Sequence, residues 1–264
     1  MTRIIAIANQ KGGVGKTTTT LNLGAGLQER GRSVLLIDLD PQASLTLAMV
    51  GKPTFGEGPD QFENTIYTAL MKTVRGEDDP LDGAVRETPS GLWLLPASIE
   101  LSAAEMDLIR EPLGVFALRD CLAALPRSTY DYVLVDCPPS LGILTTNGLA
   151  AAHEVLIPLQ ADYLALRGVD LLLSTLTKIQ KRANPNLIVL GIVLTLADLR
   201  TLHAREVVAA AKAAFGERVP ILDPIVPYSV RVKEAPLANA SLLEYARDSP
   251  ASEAYRRLAE VIDQ

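Results

Sequence analysis

Apolar residues along this chain gather in short, nearly continuous runs, separated by longer stretches where they recur every three or four positions. Residues 4–9, 34–38, 92–95, 132–136, 155–158 and 187–195 read as strands, and a last strand is expected near 220–226. Runs without polar alternation belong to strands covered on both faces, as in a parallel sheet between layers of helices. Helices are expected over 16–30, ended by Gly31, near 65–74, and over 252–262. The last has Ala254, Leu258, Ala259 and Ile262 on its inner face. The predicted class is a doubly wound α/β fold with a mostly parallel sheet and helices on both faces. One domain over residues 1–264 is expected. Residues 51–90 are the least regular, rich in Gly and Pro through 51–59 and acidic over 76–82, and read as an excursion with one helix.

Composition narrows the class. Hydrophobic residues make up 48% of the 264, which argues against disorder and suits one large core. No apolar run reaches the roughly 18 residues that span a bilayer. The apolar start, residues 1–8, is too short for a signal peptide, so a cytoplasmic location is expected. Cys121 and Cys137 are too far apart for a CxxC motif and read as buried apolar residues. His153 and His203 have no ligand set near them and read as structural or surface residues. The formal charge is −6, yet from residue 178 onward basic residues outnumber acidic ones by two. That asymmetry points to the last third as a polyanion-binding face.

The sharpest signal is Gln10-Lys11-Gly12-Gly13-Val14-Gly15-Lys16-Thr17-Thr18, between the first strand and the first helix. Glycines let backbone N–H groups turn toward phosphate oxygens, and the helix N-terminus adds positive potential. Lys16 is placed to reach β- and γ-phosphates, and the Thr17 hydroxyl to bind Mg²⁺. The run departs from GxxxxGK[ST] at its first position, Gln10, and adds a second lysine, Lys11.

With that lysine the motif resembles the deviant Walker A sequence of the ParA/MinD ATPases. The resemblance continues through Asp38-Leu39-Asp40-Pro41-Gln42, Leu95-Pro96-Ala97-Ser98, Val135-Asp136-Cys137-Pro138-Pro139 and Arg231-Val232-Lys233-Glu234-Ala235-Pro236. It is closest to the ParA/Soj partition type of P-loop NTPase. The resemblance implies an ATPase using ATP and Mg²⁺, with Lys11, Gly12, Gly13, Val14, Gly15, Lys16, Thr17 and Thr18 around the phosphates. It implies Asp136 as the Walker B carboxylate on Mg²⁺, Asp38 in the metal's outer shell and Asp40 orienting the attacking water. Lys11, Lys16 and Asp40 are the catalytic candidates; Thr17, Asp38 and Asp136 are the metal candidates. Lys11 would reach the nucleotide of a second subunit, so that ATP holds a homodimer and hydrolysis weakens it. Pro227 and Ser229 would form the adenine pocket, although relatives often carry asparagine where Ser229 stands.

Relatives of this type bind double-stranded DNA without sequence preference and respond to a ParB-type centromere-binding protein. The candidate DNA contacts are Arg200, Arg205, Lys212, Arg218, Arg231 and Lys233, acting on phosphates. The implied role is chromosome or plasmid segregation, in the cytoplasm and on the nucleoid. The alternative is a MinD-like positioning ATPase working on a membrane or protein scaffold. The tail, residues 256–264, has little bulky apolar surface and two acids, so no membrane anchoring is expected. An N-terminal helix-turn-helix is not expected either. Arg167 stands where relatives commonly have glutamate, a reversed charge near the implied dimer face.

Overall fold

The computed structural model describes residues 2–50, 62–126 and 129–264, with backbone alone for residues 163–167. The stretch 51–59 and the side chain of Arg167 therefore lie outside the described residues. In chain order the strands are β1 (Arg3–Ile7), β2 (Val34–Asp38), β3 (Arg86–Glu87), β4 (Trp93–Leu95), β5 (Tyr132–Asp136), β6 (Glu154–Gln160), β7 (Ile188–Thr195) and β8 (Ile221–Leu222). The helices are α1 (Lys16–Glu29), α2 (Ser44–Val50), α3 (Ile66–Arg75), α4 (Leu101–Arg110), α5 (Ala117–Leu122), α6 (Ile143–Ala151), α7 (Tyr163–Arg182), α8 (Leu202–Phe215), α9 (Arg231–Glu234), α10 (Leu242–Tyr245) and α11 (Pro250–Ile262).

Among the described residues the strands form one sheet in the order β3-β4-β2-β5-β1-β6-β7-β8, all parallel except β3. The chain starts in the middle, runs out to one side, and crosses back over β1 to reach β6. The phosphate loop follows β1, at that reversal, where open α/β sheets bind ligands.

The period of two along each strand divides the core in two. Ala6, Leu35, Ile37, Val133 and Val135 pack under α3 to α8. Ile5, Ile7, Val34, Leu36, Tyr132 and Leu134 pack under α1, α2, α10 and α11. Continuous apolar strands are what such a two-sided sheet demands. The inner face expected for α11, Ala254, Leu258, Ala259 and Ile262, is buried, together with Ala251 and Tyr255. A carboxylate beneath α11 anchors its end: Asp263 accepts from Arg30 Nε at 2.9 Å, Arg32 Nε at 2.7 Å and the Tyr132 hydroxyl at 3.0 Å.

Two elements differ from expectation. The last strand is only Ile221–Leu222, because Pro224 has no N–H to continue the ladder; the edge resumes as a single bridge between Ala197 and Pro227. The antiparallel β3 was not foreseen. Cys121 and Cys137 are buried and unpaired, as expected. His153 accepts the Ile4 N–H on Nδ1 at 3.0 Å, a structural contact. Among the described residues no helix is long and apolar enough to cross a membrane.

Candidate functional site

The strand register sets the acidic half of the site. Asp136 ends β5 directly beside Ile7 of β1 and Asp38 of β2. Asp38 and Asp136 share parity with Leu36 and Leu134, so both carboxylates emerge on the face that carries α1. There Asp136 Oδ2 accepts the Thr17 hydroxyl at 2.6 Å, and Oδ1 accepts the Thr20 hydroxyl at 3.4 Å. Both acids are buried, at 0% and 1% exposure. Burial pushes the Asp38 carboxyl up to about 6, against bonds from Thr46 and Asp40 that hold it down. Burial, then the nearby Asp38 charge, likewise raises Asp136 well above the carboxylate range. Two buried acids side by side at a sheet edge favour a cation between them and solvent.

The phosphate loop itself turns on Gly13 and Gly15, at φ 73° and 88°, where a side chain would be strained. Asn9 fixes its entry: Oδ1 accepts the Lys11 N–H at 3.0 Å while Nδ2 donates to Pro158 O at 2.7 Å. Thr195, ending β7, donates to Val14 O at 2.7 Å and pins the far side. Lys16 is 7% exposed, and its ammonium donates to Lys11 O at 3.2 Å. Burial lowers its pKa although Asp136 opposes the shift. A buried ammonium held mainly by a carbonyl is poised for an anion. The cavity over this loop, about 370 Å³, is lined by Gly12, Gly13, Gly15, Lys16, Thr17, Thr18, Asp40 and Pro139, with Val232 and Lys233 across from them.

Asp40 is half-buried in that cavity, and its Oδ1 caps the Gln42 N–H at 2.9 Å. Asp38 holds this turn: Oδ1 accepts the Asp40 N–H at 3.2 Å, and Oδ2 accepts both the N–H and the hydroxyl of Thr46 at 2.8 Å. Thr46 also accepts the Ala97 N–H at 3.0 Å. The Leu95-Pro96-Ala97-Ser98 motif is thereby tied to the acidic edge through a residue that the sequence reading missed. Thr20 was missed too; the second threonine after the loop was its only signal.

A second cavity, about 470 Å³, is lined by Pro227 and Ser229 with Ala197, Asp198, Arg200 and Tyr228. Leu196 lines the phosphate cavity and Ala197 this one, so the two adjoin along β7's exit. The adenine candidates thus sit next to the phosphate candidates.

The remaining candidates are less gathered. Lys11 Nζ lies 3.2 Å from Asp162 Oδ2 of the same chain, a cis contact for a lysine expected to act in trans. Arg205 and Lys212 lie exposed on one face of α8, two turns apart. Arg200 is paired with Asp198 at the rim of the second cavity. Arg231 pairs with Glu234 on α9. Arg218 lies beyond α8's far end, about 20 Å from its start by helix rise, paired with Asp170. The six do not form one patch.

A family model described as an AAA domain matches residues 2–189. The chromosome partitioning protein ParA of Caulobacter vibrioides is 41% identical over 99% of this chain and 94% of its own length. The chromosome-partitioning ATPase Soj of Thermus thermophilus is 45% identical over 98% and 95%. The chain belongs to the ParA/Soj family of partition ATPases. Among solved structures, a Mycobacterium smegmatis protein named cobyrinic acid a,c-diamide synthase, with bound ADP and magnesium, is 40% identical. It covers 98% of this chain and 93% of that one, with a TM-score of 0.82. For a member of this family the glycine loop, Asp40 and Asp136 stand where nucleotide chemistry is expected.

Among the described residues no three His, Cys, Asp or Glu side chains gather into a metal cage. Mg²⁺ needs none, because it keeps several waters and takes one or two protein oxygens plus phosphate oxygens. The Thr17 hydroxyl and the Asp136 carboxylate are hard oxygen donors and fit that requirement.

Proposed function

We propose that this partition ATPase binds Mg²⁺ and ATP in the adjoining cavities and dimerises in the ATP state. The dimer binds double-stranded DNA without sequence preference and answers to a ParB-type partner during chromosome or plasmid segregation, in the cytoplasm and on the nucleoid. The observation that carries the reading is the pairing of Thr17 with Asp136 at the mouth of a glycine loop that buries Lys16. Bound Mg²⁺ would supply charge neutralisation for the phosphates. Thr17 and Asp136 would hold it, with Asp136 kept in place by Thr20.

Lys16 leaves its carbonyl partner for phosphate oxygens and neutralises charge there. Asp40, fixed by Asp38 through its backbone N–H, accepts a hydrogen bond from the attacking water and orients it. Pro227 and Ser229 receive the base. Lys11 exchanges its contact with Asp162 for the nucleotide of a second copy, so the dimer lasts as long as the terminal phosphate.

Co-sedimentation with duplex DNA and with anionic liposomes, each in ATP, ADP and no nucleotide, tests the reading. Binding to DNA in ATP alone is expected. Binding to liposomes alone would favour a MinD-like positioning role instead.

A further inference from the structure

Of the basic residues in the last third, Lys233 has an unusual place. It was read as a DNA contact, yet it lines the cavity over the phosphate loop, on the wall opposite Lys16. Among the described residues Lys233 has no ion-pair or side-chain hydrogen-bond partner, whereas Arg200, Arg218 and Arg231 are each held by a carboxylate. The acids in its own segment are committed: Glu234 accepts from Arg231 at 3.2 Å and from the Tyr245 hydroxyl at 3.3 Å. The carboxylate that shares the cavity is Asp40, with Ser44 and Pro139 beside it. These line the phosphate end of the site, away from the pocket around Pro227 and Ser229.

We propose that Lys233 is a nucleotide-binding residue, a second cation that contacts the triphosphate from the α9 side. A polyphosphate entering the cavity brings several negative charges, and Lys16 is the one other cationic side chain on its described lining. A free ammonium on the facing wall completes the neutralisation at little reorganisation cost, since it has no partner to leave. The same short helix carries Arg231 two residues earlier. Nucleotide held by Lys233 therefore fixes the segment that presents Arg231, and loss of nucleotide releases it. The inference rests on the nucleotide reading of the two cavities and reassigns one residue from DNA to ATP.

The test uses the full chain with Mg²⁺ present, comparing wild type, Lys233→Ala and Lys233→Arg. Calorimetry gives the ATP affinity of each; DNA binding at saturating ATP gives the salt dependence. Lys233→Ala is expected to weaken ATP by about tenfold, the size of one partly solvated charge-assisted contact. Lys233→Arg should restore most of it, and the slope of log K against log salt should match wild type in both variants. An unchanged ATP affinity with a slope smaller by about 0.9 would make Lys233 a DNA residue and overturn the proposal. Lost ATP affinity that arginine does not restore would also overturn it, by showing that the helix and not the charge matters. Failure of the wild-type protein itself to bind ATP would instead remove the nucleotide reading on which the proposal stands.

Discussion

Replacing Thr46 with valine keeps nearly the same shape and removes one hydroxyl from a buried three-way junction. That hydroxyl donates to Asp38 Oδ2 at 2.8 Å and accepts the Ala97 N–H at 3.0 Å. Thr46 and Ala97 are fully buried, so no water replaces the lost partner. A buried N–H left without an acceptor costs about 1–3 kcal/mol, and losing a hydrogen bond to a charged group about 1.5–3 kcal/mol. The Thr46 N–H still serves Asp38, which tempers the second cost, so the expected total is about 3 kcal/mol. For a protein of this size that lowers Tm by roughly 6–12 °C.

The effect has a pH signature. Asp38 titrates near 6 in the folded chain, above the ordinary 3.8, so its ionisation costs stability as pH rises through about 6. The Thr46 bonds hold that pKa down. Without the hydroxyl it climbs further, and the gap between variant and wild type should widen from pH 5 to pH 8. Thermal unfolding of wild type, Thr46→Val and Thr46→Ser at both pH values measures this, with serine recovering most of the loss. Equal melting of Thr46→Val and wild type, or a gap that shrinks toward pH 8, would refute the reasoning.

Other consequences follow from the same geometry. Asp40→Ala should bind ATP normally by calorimetry and lose at least tenfold in turnover, because the carboxylate caps only its own turn and its removal leaves the loop and Lys16 in place. Lys16→Ala should lose measurable ATP affinity, since the buried ammonium is the loop's main counterion for phosphate. Lys11→Ala should bind ATP but remain monomeric by light scattering, while Asp162→Ala, which frees Lys11 from its cis contact, should dimerise at lower protein concentration than wild type. Asp263→Asn should lower Tm by about 2–4 °C at neutral pH. Burial raises the Asp263 pKa, but bonds from Arg32, Arg30 and Tyr132 outweigh it and hold the carboxyl below 3.8. Its contribution is therefore present above that pH and disappears as pH falls through the folded value, where variant and wild type should converge.

The phosphate half of the site was legible because its signal is local. A strand, a glycine turn and a helix start lie within about fifteen residues, and Asp136 could be placed from the apolar run before it. The strands of the central sheet were legible for the same reason, as runs of Val, Ile and Leu bounded by turns. What was not legible depends on neighbours distant in sequence. Thr46 matters through Asp38 and Ala97, eight residues before it and 51 after it, and nothing in its own surroundings marks it. Lys233 carries the charge of a DNA contact, and only the return of α9 to the phosphate loop places it in that cavity. The last strand was read too long because apolar residues on both sides of Pro224 look alike in sequence, although proline cannot carry the ladder through. Arg200 and Arg218 read as free charges until the fold supplied Asp198 and Asp170.

The central claim is that nucleotide state sets assembly. Light scattering of the wild-type chain with Mg²⁺ and either a slowly hydrolysed ATP analogue or ADP tests it most directly. The account predicts the mass of two chains with the analogue and of one chain with ADP, at the same protein concentration. A single-chain mass in both nucleotides, with binding of both verified by calorimetry, would contradict it.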